Sequence, residues 1–217
     1  MSFRDAVWYN AGRGASDGNN YWKKYGVPHW IIACAALVLW GALLGAASVY
    51  NAALGNAAER WGVTAGILAS PEKLALNAAP CILLALLCFF ALGRTWPAFL
   101  VSGAAAMGLS VADRCVYLAG GVHLRAGTEI SAVWSALTRC LPSAWGRAVF
   151  AAAAAAAGTA FAALLLRGKM RSWAARVFGS LGTAAAMFLL WRFVYSAMPA
   201  EVAGYAGCVL DFLAGAG

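Results

Sequence analysis

Five long apolar stretches, separated by short polar segments, divide this chain. The first begins at Trp30 and runs to about Gly55, and no Lys, Arg, Asp or Glu lies between Lys24 and Glu59. At about 1.5 Å rise per residue such a helix exceeds the roughly 30 Å hydrocarbon core of a bilayer, so the pattern predicts a tilted transmembrane span. Its Gly41 and Gly45 form a G-x-x-x-G, a spacing that lets a second helix approach closely. A short polar stretch, Glu59 to Lys73, leads to a second span at 74–92. The run Gly93-Arg94-Thr95-Trp96-Pro97 reads as a tight turn, with Pro97 suited to the first turn of a third span at 97–118. These two spans form a hairpin.

The next segment, 119–147, is the longest connection. Within it Ile130, Val133, Trp134, Leu137 and Leu141 recur every three or four residues, while Glu129, Ser131, Ser135, Thr138 and Arg139 fall mostly on the other side. The pattern predicts an amphipathic helix over 129–141, too short to span, lying along the membrane surface and ended by Pro142. A fourth span follows at 148–166, dominated by the alanine run Ala151 to Ala157, whose small side chains favour close helix packing. A fifth covers 177–200 and is interrupted by Arg192. The tails are 1–29, polar and irregular, and 201–217, Gly/Ala-rich with only Glu201 and Asp211 charged. The expected architecture is therefore all-α: a polytopic membrane bundle of about five transmembrane helices plus one amphipathic interfacial helix.

Composition supports lipid as the solvent. Of 217 residues 63% are hydrophobic and 11% charged, against about 25% charged in an ordinary soluble domain. One compact core of this size cannot hide that much apolar surface from water. The formal charge of +8 does not point to nucleic acid, because the basic residues sit in short clusters beside apolar runs. That placement fits the bias of Lys and Arg towards cytoplasmic loops and anionic headgroups. With the N-terminus inside, cytoplasmic segments hold Arg4, Arg13, Lys23, Lys24, Arg94, Arg167, Lys169, Arg171 and Arg176. Outer segments hold Arg60, Lys73, Arg114, Arg125, Arg139 and Arg147, so the bias puts the N-terminus in the cytoplasm and the C-terminus outside.

Candidate chemistry is sparse. The six cysteines form no C-x-x-C, and His29 and His123 have no partner at metal-ligand spacing, so neither a disulfide framework nor a zinc site is expected. Ionisable residues within apolar segments are costly and mark function by default. Asp113, with Arg114 near the end of the third span, and Arg192 in the fifth are the intramembrane polar candidates; Asp113 or Glu201 is a possible partner for Arg192.

The run Leu76-Asn77-Ala78-Ala79-Pro80, then Phe89-Phe90 and Gly93-Arg94-Thr95-Trp96-Pro97-Ala98-Phe99, resembles the membrane domain of the lipoteichoic acid synthase family. So do Ser110 to Tyr117, with Arg125 beyond, and the segment Gly204 to Leu213, although Asp113 stands where that family favours Asn. The resemblance covers about residue 30 to the end. It implies a bacterial plasma-membrane anchor that presents phospholipid to an extracellular phosphatase-like domain transferring phosphoglycerol. The threonine nucleophile and divalent metal of that chemistry belong to the extracellular domain, and this chain is expected to hold no catalytic residue or cofactor of its own. On this reading Arg114, Arg125 and Arg139 are the candidates for contacting a lipid phosphate. Two other function classes stay open: a small transporter or flippase, for which Arg192 is the best feature, and a non-catalytic membrane scaffold.

Overall fold

The computed structural model describes residues 29–124, 127–166, 170 and 173–195. Its helices are α1 (His29–Ala52), α2 (Ala57–Leu68), α3 (Pro71–Leu92), α4 (Thr95–Gly120), α5 (Ile130–Leu165) and α6 (Trp173–Leu190), the last continued by a π-helical turn, Trp191–Tyr195. All except α2 are long and apolar enough to cross a membrane. The protein is a polytopic helical membrane protein. Large apolar side chains such as Leu39, Leu43, Phe161, Leu164, Phe178 and Phe188 lie exposed on the bundle surface, where lipid rather than water suits them.

Small residues set how the helices pair. A Cβ added at Gly41 would sit on the Ile82 Cα, and one at Gly45 would lie 2.6 Å from the Asn77 carbonyl oxygen. Thus α1 and α3 run antiparallel with their backbones in contact, as the G-x-x-x-G spacing predicts. Trp40 of α1 fills the space left by glycines of other helices: its ring lies against Gly103 of α4 and Gly158 of α5. It stacks on Phe99 at 5.1 Å, and its Nε1 donates to Ser102 Oγ at 3.1 Å. The α3–α4 turn uses Gly93 at φ 67° as a left-handed C-cap, a conformation that favours glycine. Met170 N–H donates to the Gly93 carbonyl.

These pairings place Ala52, Pro71, Gly120 and Ile130 at one end of the bundle, here the upper end. Leu92, Thr95, Leu165 and Trp173 lie at the other. Helix α4 is the most enclosed, with thirteen of its 26 residues buried, whereas the span that starts at Trp173 buries little of its surface. Helix α6 packs on α3, where Arg176 Nε donates to the Phe90 carbonyl at 3.3 Å and Nη2 donates to that of Ala91. Arg176 so closes the C-terminal carbonyls of α3.

Two expectations need correction. The segment 129–141 is not a separate surface helix, and Pro142 does not end it: α5 continues unbroken for 36 residues, with Pro142 inside. At roughly 54 Å it is far longer than the hydrocarbon core. The reason is tertiary. Ala136, Ala144, Ala151, Ala155 and Ala162 are buried, with Cys140 and Ala148 half-buried between them, so one small-residue ridge runs past the proline. α4 and α5 share the most extensive interface of the bundle along this ridge. Pro142 lies on the exposed face, where the hydrogen bond lost at the Thr138 carbonyl is weighed against that packing. Of the apolar stripe, Val133, Leu137 and Leu141 pack on the core, while Ile130 and Trp134 are exposed.

The second correction concerns the polar stretch after the first span, which contains helix α2. Asn56 Oδ1 accepts from Ala58 N–H at 2.9 Å and Glu59 N–H at 3.0 Å, and Glu59 Oε2 accepts from Asn56 N–H at 2.9 Å. This is a reciprocal capping box.

Candidate functional site

The upper end gathers polar side chains where α1, α4 and α5 meet. On α1, Ser48 and Asn51 are one turn apart and buried. Asn51 Nδ2 donates to Ser110 Oγ of α4 at 2.9 Å, and Ser110 Oγ donates in turn to the Met107 carbonyl at 2.7 Å. From α5, Arg147 Nη1 donates to the carbonyls of Asn51 and, at 2.8 Å, of Ala53. The last carbonyls of α1 have no intrahelical donor, and a cation there also complements the helix dipole.

Arg147 lies within electrostatic range of Arg114 and Arg60. Arg60 of α2 sits over the Tyr50 ring at 4.7 Å, and Arg114 over the Tyr117 ring at 5.6 Å. Arg147 of α5 therefore feels two further guanidinium charges, Arg60 of α2 and Arg114 of α4. Arg114 is distinctive because its Nε and Nη1 are buried without a hydrogen-bond partner. Ser48 Oγ and Asn51 Oδ1 are buried and unpartnered as well. Unpaired buried donors are costly in a folded protein, and donors on a cation are matched by an anion.

The neighbouring Asp113 is fully buried. Its Oδ1 accepts from Leu124 N–H at 2.8 Å and its Oδ2 pairs with His123 Nδ1 at 2.9 Å. The carboxylate fastens the segment after α4 back onto the helix, beyond the left-handed C-cap at Gly121. His123 also packs on Tyr117, ring centroids 4.8 Å apart. The hydrogen bond to Asp113 raises the His123 pKa above its ordinary value near 6.5, outweighing partial burial and the Arg114 charge.

Of the residues singled out from sequence, Asp113 and Arg114 belong to this region. Arg139 is exposed on α5 beside Cys140, and Arg125 lies outside the described residues. Arg192 is exposed on the π-helical turn, on the helix that packs against α3, and Asp113 has His123 as its side-chain partner. The sequence pattern marked Arg60 and Arg147 only as loop charges and gave His123 no partner at metal-ligand spacing, without pointing to Asp113. Two signals were available for His123: a glycine pair, Gly120-Gly121, that reverses the chain, and a carboxylate ten residues back. Among the described residues no three His, Cys, Asp or Glu side chains gather as a metal site requires.

No protein-family model, curated protein or solved structure matches this chain.

Proposed function

We propose that this protein is a membrane-embedded module that holds the phosphate of an anionic lipid at the upper end of its bundle, without chemistry of its own. The observation that carries this reading is Arg114, whose Nε and Nη1 are buried without a hydrogen-bond partner among the described residues, while Arg147 adds like charge in electrostatic range. A lipid phosphate supplies both the missing acceptors and the missing negative charge. The distribution of Lys and Arg favours a cytoplasmic N-terminus, which would turn this end to the outer leaflet. The likeness of residues 76–117 to the membrane domain of lipoteichoic acid synthases agrees with a lipid-presenting role beside a phosphatase-like domain or subunit in a bacterial plasma membrane.

The test is lipid retention by native mass spectrometry after release from nanodiscs containing phosphatidylglycerol and phosphatidylcholine. The wild type is expected to retain phosphatidylglycerol preferentially. Arg114→Gln should weaken that retention about tenfold, the size of one charge-assisted hydrogen bond, and Arg139→Gln should leave it unchanged. Equal retention of the two lipids by the wild type would refute the proposal.

A further inference from the structure

The Asp113–His123 pair sits at the edge of the arginine cluster, and its net charge depends on one proton. Asp113 is enclosed and receives two donors, the His123 ring and the Leu124 N–H. An ionised carboxylate can only accept, so the Nδ1 hydrogen of His123 points to it in either state of the ring. With His123 protonated the pair is neutral overall, and the arginines present their full positive charge. With His123 neutral, the negative charge of Asp113 stands uncompensated beside Arg114, its neighbour in sequence, and offsets part of that charge. The side chain of His123 is 43% exposed, so protons reach it without opening the bundle.

We propose that His123 is a specificity-determining residue of the arginine site, coupling proton uptake to the binding of an anion at Arg114. This inference rests on the anion-binding reading given above. Among the described residues, the groups facing His123 are Asp113, Arg114 and Tyr117 from α4, and Arg147 of α5 lies within electrostatic range of Arg114. Glu129, at the start of α5, accepts from Ser131. Tyr117 contacts both groups, with Arg114 at 5.6 Å and His123 at 4.8 Å from its ring centroid. The hydrogen bond to Asp113 holds the His123 pKa above the ordinary histidine value.

The sign follows directly. Binding is tighter where His123 is protonated and weakens as pH rises through its raised pKa. By linkage, the bound anion raises the His123 pKa by the same factor that protonation tightens binding. The chain has two histidines, so ring nitrogens in 15N-histidine protein are assigned with one variant, His29→Gln. The probe is phosphatidylglycerol, a phosphodiester whose charge is fixed over this range, in nanodiscs compared with phosphatidylcholine alone. Phosphatidylglycerol affinity is expected to be about three- to tenfold higher near pH 6 than near pH 9, as a single charge at close range implies, and flat in His123→Gln. The lipid-dependent rise in the His123 midpoint should shrink in Arg114→Gln, which experiences the same membrane surface potential. Absence of any phosphatidylglycerol preference at either pH would remove the lipid site itself, and this coupling with it. A preference that is independent of pH, or that keeps its pH dependence in His123→Gln, would overturn the coupling and leave the lipid site standing.

Discussion

Pro80, buried in the middle of α3, creates a defect that another helix repairs. Proline has no N–H, so the carbonyl four residues earlier, that of Leu76, loses its intrahelical donor. The Tyr195 hydroxyl donates to that same carbonyl. It is delivered by the π-helical turn Trp191–Tyr195, whose wider winding carries the last step, from Trp191 to Tyr195, less far round the axis than an α-helix would. Leaving a buried carbonyl unpaired costs about 1–3 kcal/mol, whereas hydrogen bonds between membrane helices average about 0.6 kcal/mol with a maximum near 1.7. Tyr195→Phe should therefore destabilise the protein by about 1 kcal/mol. In a Pro80→Ala background the alanine N–H re-forms the helical bond to Leu76, so the same substitution should cost no more than about 0.3 kcal/mol, the usual scatter of additivity. The cycle cancels the packing lost with the proline ring. Unfolding of the four proteins in bicelles by steric trapping measures both costs. Equal cost of Tyr195→Phe in the two backgrounds would show that the hydroxyl does not serve the proline defect.

Other outcomes follow from the same contacts. Gly45→Leu should separate α1 from α3 and cost about 1–3 kcal/mol, read as a lower melting temperature in detergent, whereas Gly62→Leu, which meets nothing within 4 Å on α2, should change it little. Because the folded protein raises the His123 pKa, the stability this pair contributes is fully present below about pH 6.5 and is lost as pH rises through the raised value. Thermal unfolding followed across that window should show this loss in the wild type, and His123→Gln should flatten it.

What the sequence determined by itself was everything that depends on local runs of residues. A stretch of some twenty apolar positions must enter lipid whatever surrounds it, so the second and third spans were legible within a few residues of the observed helices: 74–92 against Pro71–Leu92, and 97–118 against Thr95–Gly120. The Gly93 turn and the Gly41/Gly45 approach were legible for the same reason, since backbone freedom and side-chain absence are properties of glycine itself. The capping box at Asn56 and Glu59 was also written in the sequence, and overlooking it hid helix α2.

Tertiary structure alone decided the rest. Whether Pro142 breaks a helix depends on the ridge of small residues continuing past it and on α4 lying alongside to bury that ridge. Which arginines meet depends on how α2, α4 and α5 are rotated and set in register, and Arg60 and Arg147 lie 54 and 33 positions from Arg114 in the chain. The partner of Asp113 depends on where the chain after Gly121 folds back. Apolar periodicity tells a helix which medium to enter, but lipid is as apolar as the helices themselves, so it does not choose neighbours. That choice is made by close packing of small residues and by polar groups that must find one another, and both exist only once the helices are assembled.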